Sequence, residues 1–273
     1  MWQDEQFGSL RIGFQTNRLL FKHQSPYQLI EVFETVDYGT ILRLDGTWQC
    51  STELEHTYHE MIVHPALTTA PSIENVLIVG GGDGGTAREV LRYPEVRNVD
   101  LVEIDSDVVK ACKEHLSSIG EGAWDDPRLN LIIGDGIQFV RDAHQKYDVI
   151  IVDGSDPIGP SVGLFNSAFF ESCARALKSD GVLVTQAESP RVMLDNHIGL
   201  IQTIRQHFEN VAPYYQGQII YPGGVWSWIY ASQSVDRKNI LRDPDPDLMI
   251  YNTEIHHAAF AIPNYVQHII NRH

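Results

Sequence analysis

Two periodicities divide the chain. Between residues 10 and 49, apolar and polar positions partly alternate, with aromatic and branched residues concentrated at 27–33 and 40–44. That is the pattern of strands with one covered face. Turn signals at Val36-Asp37-Tyr38-Gly39 and Asp45-Gly46 separate the runs, which predicts a small antiparallel sheet. A helix is expected from about Glu53, capped by Ser51 or Thr52, ending in the region of Pro65 to Pro71. From Asn75 onward, short apolar runs alternate with helical spacing. Strands are predicted at 76–79, 99–104, 129–133, 149–152 and 182–186, and helices at 86–91, 107–116, 137–143, 168–177 and 196–207. Aromatic-rich strands at 211–215 and 225–231 close the series, and a short helix follows Pro263. The alternation predicts an α/β fold: a mostly parallel sheet with helices on both faces, preceded by a small N-terminal antiparallel β domain. The expected domains are residues 1–52 and 53–273.

The first strand of the second domain runs into Gly80-Gly81-Gly82-Asp83-Gly84-Gly85-Thr86, where a helix begins. A strand, a tight glycine turn and a helix N-terminus bring backbone close to a small ligand, the Rossmann-like arrangement. Gly80, Gly82 and Gly85 alone also satisfy the dinucleotide fingerprint. Asp83 changes the reading, because a carboxylate in the loop repels a pyrophosphate and suits a ligand bearing positive charge or hydroxyls. In open α/β sheets, ligands bind beyond the carboxyl ends of the strands. Four successive strands here place acids there: Asp83, Glu103, Asp135 (in Asp135-Gly136) and Asp153, with Asp156 three residues later. Glu103 is spaced for ribose hydroxyls, and Asp135-Gly136 for an adenine amine. Asp153 and Asp156 flank one place and suit a cationic amine, one accepting a proton while the other holds the cation.

Composition narrows the field. With 36 acidic and 20 basic residues, a formal charge of −16, the chain lacks the basic surface that gripping nucleic acid requires. Three widely spaced cysteines, Cys50, Cys112 and Cys173, show no metal or disulfide spacing. The acidic N-terminus does not read as a signal peptide, and no apolar run reaches the length of a membrane span, so a cytoplasmic protein is expected. His56, His59 and His64 share one predicted helix without an evident third ligand, so no metal site is expected. Trp226 and Trp228 read as core residues of a strand rather than a stacking platform.

The glycine-aspartate loop, Glu103-Ile104-Asp105, Asp135-Gly136 and Asp153-Gly154-Ser155-Asp156-Pro157 together resemble the polyamine aminopropyltransferases. Tyr27-Gln28, Leu44-Asp45-Gly46, Tyr58-His59-Glu60-Met61 and Tyr221-Pro222-Gly223-Gly224 resemble further blocks of that family, in order, and the likeness runs from about Tyr27 to Pro263. The resemblance implies a methyltransferase-like fold and transfer of an aminopropyl group from decarboxylated S-adenosylmethionine to putrescine, giving spermidine and methylthioadenosine. It implies Asp153 as the base and Asp156 as the residue holding the amine. Asp83 and Gln28 would lie on the donor's aminopropyl side, Glu103 on its ribose, and Asp135, Gly136 and Pro160 around adenine. Tyr58, His59 and Tyr221 would line the amine channel. No cofactor is implied, the decarboxylated S-adenosylmethionine being a co-substrate, and a homodimer or homotetramer is expected.

Two positions depart from the family pattern. Gly154 and Gly223 stand where the family usually has serine, each removing a hydroxyl near the amine path. They bear on the choice of acceptor, for which agmatine, cadaverine and spermidine are alternatives. A methyltransferase using intact S-adenosylmethionine, a dehydrogenase and a non-catalytic polyamine sensor share parts of the pattern. The paired acids after the fourth predicted strand disfavour the first two, and the retained Asp153 disfavours the last.

Overall fold

The computed structural model describes residues 1–155 and 159–270, arranged around two sheets. The first sheet holds β1 (Trp2–Phe7), β2 (Leu10–Gln24), β3 (Leu29–Thr35), β4 (Thr40–Leu44) and β5 (Thr47–Ser51), antiparallel and in chain order. β1 extends the sheet beyond the stretch that reads as β. Its sequence has no alternation and only Glu5 is buried, so pairing with β2 rather than a covered face makes it a strand. Its acidic residues suit an edge that must not recruit further strands.

α1 (His56–Thr69) starts later than expected and ends within the expected region. Neither Ser51 nor Thr52 caps it. The Ser51 hydroxyl accepts from the Leu54 N–H at 3.2 Å, and Thr52 Oγ1 accepts from the Thr40 N–H at 3.1 Å. The helix starts one turn later, with Glu55 in the cap position. At the other end it continues through Pro65, which has no N–H to offer the Met61 carbonyl. The Tyr214 hydroxyl supplies the missing donor at 2.8 Å. A tertiary contact thus replaces the bond that proline removes.

The second sheet contains β6 (Asn75–Gly80), β7 (Asn98–Glu103), β8 (Leu129–Ile133), β9 (Tyr147–Asp153), β10 (Leu177–Gln186), β11 (Asn210–Gly217) and β12 (Val225–Ser232), in the order β11-β12-β10-β9-β6-β7-β8. The strands from β10 to β8 are parallel, while β12 runs antiparallel to β10 and β11. Between them run α2 (Gly85–Leu91), α3 (Ser106–His115), α4 (Gly136–Asp142), α5 (Ser167–Ala176) and α6 (Leu194–Ile204). The fold is the expected α/β one, with helices on both faces.

Alternate residues of the central strands enter opposite cores. Ile78, Leu101 and Ile151 pack with Met61 and Leu67 of α1, whereas Val79, Val102 and Val152 pack with Phe169, Phe170 and Ile201 of α5 and α6. Burial on both faces explains why these strands read as continuous apolar runs. A third cluster joins Ile30, Val32, Leu42 and Cys50 of the first sheet to Val108, Cys112 and Leu116. The C-terminal segment adds α7 (Thr253–Ala259) and α8 (Asn264–Ile270). α7 is too short to show a period, although Asn252 caps it by accepting from the Ile255 N–H at 2.9 Å. The Glu60 carboxylate of α1 fastens this tail, accepting from the N–H groups of Met249, Ile250 and Tyr251, each at 2.8 Å.

The chain proceeds outward from β6 to β7 and β8, then returns to place β9 on the other side of β6. Strand order therefore reverses between β6 and β9, and a crevice opens beyond their carboxyl ends.

Candidate active site

One cavity occupies that crevice. Asp83, Glu103, Asp135, Gly136 and Asp153 line it from the second sheet, joined by Gln28, Tyr58, His59 and Tyr221. The four strand-end acids therefore converge. Asp156 lies outside the described residues. Pro160 is placed by its backbone alone, in the 3-10 turn Gly159–Phe165.

The glycine loop crosses directly over the end of β9. Gly80 has φ +86°, and its neighbour Gly81 donates to the Asp153 carbonyl at 3.0 Å. Asp83 turns back to accept from the Gly85 N–H at 2.9 Å through Oδ1, while its Oδ2 lies 3.3 Å from His59 Nε2. Burial opposes ionisation of Asp83, but the facing imidazolium outweighs it and holds the pKa down at about 2.

Asp153 is fixed at both oxygens. The Tyr58 hydroxyl donates to Oδ1 at 2.8 Å and the Thr86 hydroxyl to Oδ2 at 2.6 Å. Burial, reinforced by the negative charge of Asp83, raises its pKa despite these two donors. Two carboxylates in one cavity thus differ in character: one is a firm anion, the other a stronger base than an ordinary aspartate.

Residues 55–239 match the family of the spermine/spermidine synthase domain, and residues 1–52 match the spermidine synthase tetramerisation domain. A polyamine aminopropyltransferase of Prochlorococcus marinus (strain NATL2A) is 42% identical over 273 residues, covering 97% of this chain and 94% of that one. Another from Clostridium perfringens (strain ATCC 13124) is 40% identical over 280 residues, covering 98% and 97%. A crystal structure of spermidine synthase in complex with the transition state analogue AdoDATO superposes with a TM-score of 0.96 at 34% identity, covering 100% of this chain and 96% of that one. Spermidine synthase from Thermotoga maritima gives 0.93 at 33%, covering 99% and 94%.

The chain belongs to the spermine/spermidine synthase family. Gln28 reaches the cavity from the connection between β2 and β3, its Nε2 donating to Asp105 Oδ2 at 3.1 Å; the Ser25 hydroxyl donates to the same oxygen at 2.6 Å. Asp105 also caps α3 through the Asp107 N–H, so one buried acid ties the two sheets together. Asp135 spends one oxygen capping α4, accepting from the N–H groups of Ile137 and Gln138. Tyr221 donates to the Gln49 carbonyl and lays its ring on Trp226, centroids 4.5 Å apart, with Tyr58 edge-on at 5.8 Å. Trp226 and Trp228 are core residues, and Trp226 also borders the cavity.

His59 lines the cavity beside Tyr58, but both its nitrogens face carboxylates, Glu55 on one side and Asp83 on the other. Sequence reasoning does not single out Glu55, Thr86, Asp105 or Gln186. The first three act through partners 4 to 80 residues away, as the Glu55–His59 and Ser25–Asp105 contacts show. Gln186 ends β10 on the cavity wall with its Nε2 lacking a partner among the described residues. A polar residue ending a strand that points at the crevice was the available signal.

The two departures from the family pattern have physical settings. A Cβ at Gly154 would stand 2.8 Å from Leu164 Cδ1, so a larger residue requires that flexible end to move. Gly223 has φ +84°, and a Cβ there would lie 2.8 Å from Ser189 Oγ. Serine at 223 would be strained in this backbone.

Glu103 is buried at the end of β7. Burial raises its pKa to about 7, although its Oε1 accepts from the Asp105 N–H at 2.9 Å. The linkage has a definite sign. Below pH 4.5 the carboxyl is protonated in both folded and unfolded chains and contributes no pH dependence. Between pH 4.5 and about 7 the unfolded chain ionises while the folded one does not, and stability falls, by about 3 kcal/mol at most. Glu103→Gln is accordingly expected to remove this descent and to melt above wild type at pH 8. Thermal unfolding across pH 4.5–8 checks it, and parallel curves for the two proteins would contradict it.

Proposed function

We propose that the chain is a spermidine synthase, transferring the aminopropyl group of decarboxylated S-adenosylmethionine to putrescine. The carrying observation is Asp153: a buried carboxylate of raised pKa, clamped by Tyr58 and Thr86, facing the same cavity as the anionic Asp83. A protonated amine entering this cavity meets a base able to take its proton. The freed lone pair attacks the methylene carbon beside the sulfonium. The new C–N bond forms as the C–S bond breaks, its electron pair stays on sulfur, and methylthioadenosine leaves. Asp153 receives the proton. Asp83 and Gln28 hold the donor's aminopropyl arm, Glu103 its ribose, and Asp135 with Gly136 its adenine, Pro160 completing that pocket. Tyr58 and Tyr221 border the amine path, and Asp156 holds the amine. Ribose hydroxyls donate to the ionised form of Glu103 and so favour it. Orientation of the two reactants in line supplies much of the remaining acceleration. The sulfonium is already a good leaving group, so this reaction calls for no cofactor.

The sheet of residues 1–52 is the surface we assign to self-association as a dimer or tetramer, and a cytoplasmic setting suits these substrates. Among the described residues no helix is long and apolar enough to cross a membrane. The test is a mass-spectrometric assay with decarboxylated S-adenosylmethionine and equal concentrations of putrescine, cadaverine, agmatine and spermidine. Methylthioadenosine with spermidine as the main product is expected. Another aminopropylated amine as main product would overturn the acceptor, and absence of methylthioadenosine would overturn the donor.

A further inference from the structure

His59 is held in a vice of charges at the cavity wall. Glu55 Oε2 lies 2.6 Å from Nδ1, and Asp83 Oδ2 lies 3.3 Å from Nε2. The ring has no freedom to turn away. A Cβ at Gly85 would stand 2.3 Å from both Cε1 and Nδ1, so the first turn of α2 presses directly on the imidazole. Glu55 is itself immobilised: Arg88 Nη1 donates to Oε1 at 2.9 Å and Nη2 to Oε2 at 2.8 Å, while Nη1 also donates to the Ile119 carbonyl at 2.7 Å. Arg88 passes on to Glu89 at 2.7 Å, which in turn meets His64 at 3.0 Å and Arg92 at 2.8 Å. Glu55 and Arg88 lie behind the cavity wall, yet the chain of contacts ends on Asp83, which is part of it.

We infer that Glu55 is a positioning residue of the transfer reaction, orienting His59 so that its Nε2–H is delivered to Asp83, the carboxylate assigned to the donor's aminopropyl arm. The inference rests on the reaction proposed above for the role of Asp83, but the Glu55–His59–Asp83 geometry stands without it. A carboxylate at Nδ1 requires a proton there. Were the ring neutral, Nε2 would turn a lone pair toward another carboxylate, so only the doubly protonated ring satisfies both sides. Burial disfavours that cation, but Asp83 and Glu55 together hold the His59 pKa well above its ordinary value. The other groups facing this ring act in known directions. Asp153 of β9 adds negative charge, Arg88 of α2 opposes from behind Glu55, and the Tyr58 ring sits edge-on at 5.5 Å. Glu55 thereby fixes both the direction and the charge of the group that keeps Asp83 ionised.

The test uses the full-length chain in four forms: wild type, Glu55→Gln, His59→Asn and the double variant. Glu55→Gln is expected to lower kcat/KM for decarboxylated S-adenosylmethionine on the order of 10- to 100-fold, the scale of a lost charge-assisted bond, with the KM for putrescine little changed. In the His59→Asn background the same substitution is expected to cost less than about threefold, because the residue through which Glu55 acts is gone. Equal losses in both backgrounds would overturn the inference, making Glu55 a support of the fold through Arg88. A second readout needs no turnover: nitrogen NMR of the His59 imidazole, expected to show both nitrogens protonated at pH 7.5 in wild type and in Glu55→Asp. Glu55→Gln should lose that signature, and a neutral wild-type ring would overturn the inference. If the wild type transfers no aminopropyl group while this spectrum behaves as expected, the proposed reaction fails and the positioning stands. Glu55→Asp keeps the charge, so it also serves should Glu55→Gln fold poorly. It is then expected to keep more than a tenth of wild-type donor kcat/KM, and less would overturn the inference.

Discussion

Asp153→Asn is expected to lower kcat about a thousandfold while leaving the donor's KM within about threefold of wild type. Asparagine matches the shape of aspartate, its one oxygen accepting from one of the Tyr58 and Thr86 hydroxyls while its Nδ2 amide donates to the other, so contacts at both positions, seen at 2.8 and 2.6 Å, are kept. What it removes is the acceptor for the amine's proton. An alkyl ammonium has a pKa near 10, so at pH 7 only about one molecule in a thousand carries a free lone pair. The variant must wait for that minority. Its rate should therefore climb roughly tenfold per pH unit between pH 7 and 9, whereas the wild-type profile is flatter. Methylthioadenosine release measured over that range decides the matter. A kcat within tenfold of wild type, or a variant profile parallel to the wild-type one, would remove Asp153 from the role of base.

The second large effect is on stability. Gly80→Ala is expected to cost about 3–5 kcal/mol, combining a left-handed conformation for a residue with a Cβ and a backbone collision. Gly80 has φ +86°, and the added Cβ would lie 2.2 Å from the Asp153 carbonyl oxygen and 2.8 Å from its carbon. Neither neighbour is a side chain that can swing aside. Relief requires β6 and β9 to part at their pairing of Gly80 with Asp153, which also displaces the proposed base. For a domain of this size the melting temperature should fall by about 10 °C or more. Calorimetry gives the number directly, and a fall under about 3 °C would show that the loop yields more easily than its contacts imply.

The parallel sheet is legible in the sequence because its strands are covered on both faces, so that runs such as Val76-Leu77-Ile78-Val79 are unbroken by polar residues. The convergence of Asp83, Glu103, Asp135 and Asp153 follows from topology alone: strands running the same way deliver their terminal residues to the same edge. What escapes is whatever depends on a partner from elsewhere in the chain. Pro65 removes a backbone donor inside α1, and the group that replaces it, the Tyr214 hydroxyl, lies 153 residues from the Met61 carbonyl it serves. Trp2–Phe7 has no face of its own and is a strand by virtue of β2. At the cavity, residue identities are readable and their charge states are not. Glu103 near neutrality, His59 as a cation and Asp153 as a strengthened base all arise from burial and from neighbours that no spacing reveals.

The buried Asp105 junction has a consequence for how the molecule can be divided. Leu44, Asp45, Trp48, Gln49 and Cys50 line the cavity alongside Gln28, and Ser25 and Gln28 are anchored to the cap of α3. A cut near residue 52 would therefore not release a smaller working catalyst from a detachable assembly module. The first sheet is a removable piece only on paper: the second sheet supplies the acids, the first supplies the opposite wall, and the vessel exists only where the two are joined.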